Sequence, residues 1–378
     1  MITVGHTIFA FQDGGMEQGL VNIITHGSHA SFRHIILCLT RAGSFAHASI
    51  PKTAELVELH KREGNDFLLS GRIAAVAQHF KIDILHARGW PALVESAIAA
   101  RLAGIAGTIY GFHGKTLGDL SVTSLKRRWI QRIMIRDYQR IVTLNRSMQT
   151  DLASECNLPL ERIGVISNGV DVERFRPFQD QQKFRNKYGL PIERFIVGNV
   201  ARLDPIKNHE VILRALRHLR EQGFDPLFLL VGDGPHRTEL GREIDRLGLR
   251  SSVRLLGYSD QIPEVLNCMD LYIQSSFYEG FSNAILEAMA CGLPILATNV
   301  GGTTDLFSEG KQGFFFKPKD DESLAHLINR LYRHTLVRRR MGVDARQHVI
   351  RNFSLREMVS GYEDLYLELG SRSKGRRE

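Results

Sequence analysis

Short apolar, β-branched runs alternate along this chain with longer stretches whose apolar residues recur at helical spacing. In the first half the runs predict strands over 2–6, 35–39, 84–87, 108–112, 140–144 and 163–166. In the second they predict strands over 195–200, 227–231, 253–256, 271–274, 295–298 and 313–317. Strand followed by helix, repeated, is the pattern of β-α-β units feeding parallel sheets, so the fold class is α/β and the two series read as tandem doubly wound halves. Between them SNGVDVERFRPFQD, residues 167–180, holds a turn-forming Asn-Gly and a Pro and marks the linker. This gives a first domain over 1–172 and a second over 173–354. The last periodic stretch puts Leu355, Met358, Val359, Tyr362, Leu365, Tyr366 and Leu369 on one helical face, which needs a surface to bury against. A helix over 355–370 is expected to pack back on the first domain, and the basic tail SRSKGRRE to fray.

A length of 378 residues suits two domains better than one core. No run approaches the ~18 apolar residues of a membrane-spanning helix. The N-terminal ITVGHTIFAF reads as a strand and not as a signal peptide, so a cytoplasmic protein is expected. Cys38, Cys156, Cys268 and Cys291 lie far apart with no C-x-x-C pair, which suggests neither a zinc site nor a disulfide framework. The net charge of +8 points to anionic ligands or surfaces without choosing among nucleotide phosphates, lipid headgroups and nucleic acid.

Candidate chemistry concentrates in SSFYEGFSNAILEAMACGLPILATNVGG, residues 275–302. Ser282 is a good N-cap, 283–291 is helix-forming, and Gly292 with Pro294 stops the helix before the next strand. The backbone N–H groups of Gly280, Phe281, Ser282 and Asn283 therefore collect at a helix N-terminus, a seat for phosphate or carboxylate. Glu279 precedes the seat and Glu287 stands about one turn into the helix, where a carboxylate can accept two hydroxyls of a ribose. In GNVARLDPIKNHE, residues 198–210, Arg202 and Lys207 share one strand-to-helix loop, at the carboxyl end of a strand where open sheets bind ligands. No D-x-D pair occurs, which argues against a carboxylate-held magnesium and leaves Arg202 and Lys207 to neutralise a diphosphate.

The R-L-x-x-x-K loop, LLVGDGP at 229–235, LLGY at 255–258 and E-G-F-S-N-A-I-L-E together resemble family 4 of retaining glycosyltransferases. The resemblance implies the GT-B fold, two Rossmann-like domains with a cleft between them, and transfer of a sugar from a nucleotide-diphosphate donor of UDP or GDP type. It implies that Arg202 and Lys207 hold the donor diphosphate, that Glu287 binds the ribose, and that Glu279 and the amides after it meet the donor sugar. Gly257 and Tyr258 would lie near the base. Gly14, Gly15 and Glu17 are similar to the family's N-terminal glycine loop, where glycines let backbone approach closely. His113, following a predicted strand, matches a family histidine that reaches the donor sugar. No cofactor is implied beyond the nucleotide sugar as co-substrate, and the acceptor is expected to be a saccharide or a lipid-linked one.

Two lookalikes fail on their own residues. Gly114-Lys115-Thr116 imitates a phosphate-binding P-loop but has Ile109 where that loop needs glycine, and Gly232-Asp233-Gly234 starts a dinucleotide fingerprint that Arg237 breaks. In KRRWIQRIMIRDYQR, Arg128, Arg132 and Arg136 recur every four residues beside Trp129, Ile130, Ile133 and Met134, the pattern either of a helix resting on anionic lipid or of an ordinary exposed helix face. A soluble acceptor, a GT-B epimerase or phosphorylase, and nucleic-acid binding are the competing readings; the last lacks interleaved aromatics or a known module.

Overall fold

The computed structural model describes residues 1–12, 14–64, 66–114 and 125–374. Lys115 and Thr116 of the P-loop lookalike, and the end of the basic tail, lie outside them. The chain divides into two compact units, Met1–Gly169 with Leu355–Glu378, and Val170–Ser354. The first crossing falls at the start of the 167–180 segment. Val170 N–H donates to the Phe353 carbonyl (2.8 Å), so the two connecting segments are tied together where they enter the second unit.

In the first unit β1 (Ile2–Ile8), β2 (Phe32–Cys38), β3 (Ala54–Glu58), β4 (Ile84–Arg88), β5 (Gly107–Phe112), β6 (Arg140–Thr143) and β7 (Ile163–Val165) form one parallel sheet. Its order is β3-β2-β1-β4-β5-β6-β7, so the chain winds outward from β1 and then returns to its other side at β4. Central β1 is buried along its whole length because helices cover both faces, which is why such strands read as apolar runs. Strand β3 was not among the sequence expectations. It pairs only with β2, and its half-buried AELVE carries Glu55, paired with Arg33, and Glu58, which accepts from Ala42 N–H (2.6 Å), so it lacks an apolar run.

The helix Leu355–Lys374 buries Leu355, Met358, Val359, Tyr362, Tyr366 and Leu369 against Ile2, Val4, Ile84, Ile109 and Val142 of the first sheet. The apolar face read from the sequence thus finds its partner in the first unit, although the chain reaches it only after completing the second.

The second unit repeats the plan with β8 (Ile196–Val200), β9 (Leu227–Val231), β10 (Val253–Gly257), β11 (Leu271–Gln274), β12 (Ile295–Thr298) and β13 (Gly313–Phe316), all parallel, in the order β10-β9-β8-β11-β12-β13. The order reverses between β8 and β11, and the crevice outside the carboxyl ends at such a point is where doubly wound sheets take ligands. Separate apolar clusters pack on its two faces. All four cysteines are buried and free. Burial pushes the Cys156 thiol up to about 11 and those of Cys268 and Cys291 up to about 12, which keeps them protonated and unreactive.

Candidate active site

Lys207 is set by its backbone before its side chain does anything. It ends a 3-10 turn, Pro205–Lys207, that Pro205 opens and Asp204 caps by accepting from Ile206 N–H (3.2 Å). Asn208 follows in the left-handed region (φ 50°), and its amide donates to the carbonyls of Ser275 (3.0 Å) and Pro318 (2.6 Å). Ser275 Oγ donates to the Lys207 carbonyl (2.7 Å) and Phe277 N–H to that of Ile206 (2.8 Å). The loop after β8 is thereby stitched to the loop after β11, and Lys207 Nζ donates to Glu279 Oε2 at 2.7 Å. The same oxygen accepts from Gln274 Nε2 (2.6 Å) and Ser276 Oγ (3.1 Å). Three donors on one carboxylate oxygen fix Glu279 and still leave Lys207 two further N–H directions.

The loop then turns into a helix, Asn283–Ala290, with Ser282 accepting from Ile285 N–H (3.3 Å) as N-cap. Gly301 and Gly302, just after β12, support the loop from below. Gly302 N–H donates to the Glu279 carbonyl (3.0 Å), and a Cβ on Gly301, whose φ is +48°, would run into that same carbonyl. A helix start beside an ammonium at the carboxyl ends of β8 and β11 suits a multiply charged anion.

Glu287, within that helix, is partly buried, and no described residue donates a hydrogen bond to its side chain. Burial pushes its carboxyl up to about 7, with the Arg174 guanidinium acting in the opposite direction. Both Glu287 and Glu279 bear on the buried Tyr272 phenol, which burial above all raises out of its ordinary range and which donates to the Val200 carbonyl (3.2 Å).

Arg202 sits on the next stretch of backbone toward β9. It is exposed, and among the described residues no ion pair holds it. Its neighbours are anchored, since Ala201 N–H donates to the Val231 carbonyl and Leu203 N–H to that of Asp233 (both 3.0 Å). The Gly232-Asp233-Gly234 turn has its reason here. Gly232, at φ +131°, lies against the Ala201 carbonyl and Gly234 against that of Leu203, with no room for a Cβ at either. Gly232 N–H in turn donates to the Gly257 carbonyl (2.8 Å). Gly257 is at φ +82°, and Tyr258 beyond it is 76% exposed.

The structure therefore joins Lys207 and Glu279 directly, puts Gly280, Phe281, Ser282 and Asn283 on the same loop, and relates Glu287 to them through Tyr272. Arg202 follows β8 and Gly257 ends β10, with β9 between those strands, and Tyr258 is exposed. Sequence reasoning missed Gln274, Ser276, Tyr272, Gly301 and Gly302. A polar residue closing the apolar strand LYIQ, and a Gly pair directly after β12, were the available signals.

In the first unit Gly14 caps the helix Gly15–His26, and Glu17, its third residue, turns back so that a carboxylate oxygen stands 2.5 Å from where a Gly14 Cβ would be. The missing side chain of Gly14 thus makes room for the Glu17 carboxylate. His113 follows β5 with both ring nitrogens buried and without a partner among the described residues. Burial, and then the charge of Arg88, lower its imidazole to about 3, so it is neutral.

Residues 180–348 match the glycosyl transferases group 1 family and residues 13–174 match glycosyltransferase family 4. The chain is 29% identical over 297 residues to UDP-Gal:alpha-D-GlcNAc-diphosphoundecaprenol alpha-1,3-galactosyltransferase of Escherichia coli, covering 76% of each. It is 28% identical over 310 residues to N-acetyl-alpha-D-glucosaminyl L-malate synthase of Bacillus anthracis, covering 80% of this chain and 79% of that one. Anabaena Alr3699/HepE in complex with UDP superposes with a TM-score of 0.84 at 24% identity, covering 96% of this chain and 99% of that one. WaaG, a glycosyltransferase involved in lipopolysaccharide biosynthesis, does so at 0.73 and 16% identity, over 96% and 99%. These likenesses establish the GT-B architecture. With two family matches dividing most of the sequence between them on that fold, the chain belongs to glycosyltransferase family 4 and is a sugar-transferring enzyme.

Proposed function

We propose that the enzyme transfers a sugar from a UDP-sugar to a saccharide or lipid-linked acceptor with retention of anomeric configuration. The observation that carries this is the Lys207–Glu279 pair locked beside the start of the helix Asn283–Ala290. When the bond to the donor sugar breaks, charge grows on the leaving diphosphate. Lys207, Arg202 and the amides of Gly280 to Asn283 are aimed at that charge before it forms, which is the economical way to stabilise it. In this reading side-chain cations supply what a magnesium ion supplies elsewhere. Glu287 accepts the ribose hydroxyls, Gly257 and Tyr258 flank the base, and Glu279 presents its other oxygen to the sugar. In the first unit Gly15 and Glu17 line the glycine loop, and neutral His113 hydrogen-bonds a sugar hydroxyl without adding charge. UDP is preferred to GDP because the E. coli relative is named for UDP-Gal and the Anabaena neighbour was solved with UDP. Incubation with labelled UDP-sugars and a lipid-linked saccharide in EDTA is expected to move label into the lipid fraction. Label released only as free sugar would contradict the assignment.

The lipid-linked form of the acceptor is supported by the helix Leu125–Met134 and the turn after it. Lys126, Arg128, Arg132 and Arg136 are exposed there, together with Trp129 (66%) and Ile133 (44%). A solvent-facing tryptophan among arginines is the composition of a face that rests on anionic headgroups. Among the described residues no helix is long and apolar enough to cross a membrane, so the attachment is peripheral in this reading, at the cytoplasmic face. Wild type is expected to float with phosphatidylglycerol vesicles, and the triple variant Arg128→Glu, Arg132→Glu, Arg136→Glu to stay behind. Equal recovery of the two would remove the membrane from the account.

A further inference from the structure

Beneath the carboxyl ends of β4 and β5 the first unit buries a guanidinium. Arg88 is 1% exposed, and no described carboxylate pairs with it. Its Nε approaches His6 Nδ1 at 3.5 Å, its guanidinium lies 5.6 Å from the Tyr362 ring, and it reaches the hydroxyls of Tyr362 and Tyr366. His6 in turn meets His34 (3.0 Å), and His86 Nδ1 meets the Tyr366 hydroxyl (3.2 Å). This polar layer satisfies itself everywhere except on one side. Among the described residues Arg88 Nη2, His86 Nε2 and both ring nitrogens of His113 are buried without a partner.

His86 Nε2 and His113 Nε2 converge beside Gly111, with Arg88 at the matching position of the neighbouring strand. Arg88 is level with Gly111 in the β4–β5 register, and a Cβ on Gly111 would stand 3.0 Å from both His86 Nε2 and His113 Nε2. A buried cation that stays charged at every accessible pH needs an anion or a dense set of acceptors; His6 Nδ1 and two tyrosine hydroxyls supply part of that set, no described carboxylate pairs with it, and Nη2 is left over. Gly89, at φ +77°, caps the adjoining helix Trp90–Ala103, and its own N–H donates to the Gly111 carbonyl (2.9 Å), which ties the two strand ends together.

We propose that Arg88, His86 and His113 form an oxyanion seat in the first unit that takes a phosphate group. Donors from three directions suit a tetrahedral phosphate better than a planar carboxylate. Resting on the acceptor reading above, the phosphate belongs to an acceptor that carries one, either as a diphosphate link to lipid or as a terminal monoester.

The test uses the full chain carrying Arg202→Ala and Lys207→Ala, which disables the proposed donor seat, with histidine nitrogens labelled for NMR. Inorganic phosphate and methyl diphosphate are titrated at constant ionic strength. Binding is expected to shift the His86 and His113 signals, the latter identified by His113→Gln, and to raise the melting midpoint by about 2 °C near saturation. A tenfold tighter grip on methyl diphosphate assigns a lipid diphosphate, and the reverse order a monoester. Loss of the response on adding Arg88→Gln supports the seat. No histidine response in the Arg88-containing protein, or an undiminished response with Arg88→Gln, overturns it. Failure of wild type to use UDP-sugars would sink the donor assignment while leaving this binding result standing.

Discussion

Replacing Lys207 by alanine is expected to lower turnover by roughly 10²-fold or more, the scale for removing one preorganised charge contact at a developing anion. The loss should fall on turnover more than on folding. Glu279 Oε2 keeps Gln274 and Ser276 as donors when Lys207 is gone, and the backbone stitches through Asn208 and Ser275 do not involve the ammonium. A melting midpoint near that of wild type, beside single-turnover rates reduced a hundredfold, is the expected pair of readings. Lys207→Arg is expected to rescue little, because a planar fork cannot reproduce a compact ammonium already committed to Glu279. Near-normal turnover in the alanine variant would remove Lys207 from the leaving-group site.

Donor affinity is expected to rise with pH through about 7, where the Glu287 carboxyl titrates in the unliganded protein. Only the ionised carboxylate accepts both ribose hydroxyls, so each unit below 7 should weaken binding about tenfold, and binding at pH 6.5 should release protons. A UDP-sugar is the right probe, since its esterified diphosphate has no proton to lose in that range. Glu287→Gln should flatten the profile, and Glu287→Ala should weaken the donor by about 10- to 100-fold through loss of charge-assisted hydrogen bonds. The sign for folding is opposite. With its folded value raised above 4.5, this carboxyl favours the fold below that value and loses the contribution as pH climbs to about 7. A pH-independent donor affinity in wild type would show that Glu287 does not touch the ribose.

Strands such as Leu227–Val231 were legible because a parallel strand covered on both faces must be apolar throughout. Ala54–Glu58 was not, since an edge strand with one neighbour can alternate acidic and apolar residues and resemble a loop. The helix seat was readable from Ser282, Gly292 and Pro294, all local cues. The direct pairing of Lys207 with Glu279 was not, because the partners are 72 residues apart and meet only when β8 and β11 become neighbours. Helix position alone is also compatible with a solvated Glu287. Its raised carboxyl comes from burial by the surrounding fold, which helix periodicity cannot report. The histidine layer of His6, His34 and His86 was hidden for a similar reason, each being a single polar position in an apolar strand whose neighbours lie across the sheet.

In the proposed mechanism positively charged side chains and a helix start hold the donor diphosphate without help from a divalent ion. Calorimetric titration of UDP-sugar into wild type and into Lys207→Ala, both in excess EDTA, tests it most directly. Undiminished binding by wild type in the chelator and at least tenfold weaker binding by the variant are expected. Equal affinities for the two proteins, or wild-type binding that appears only when magnesium is restored, would contradict it.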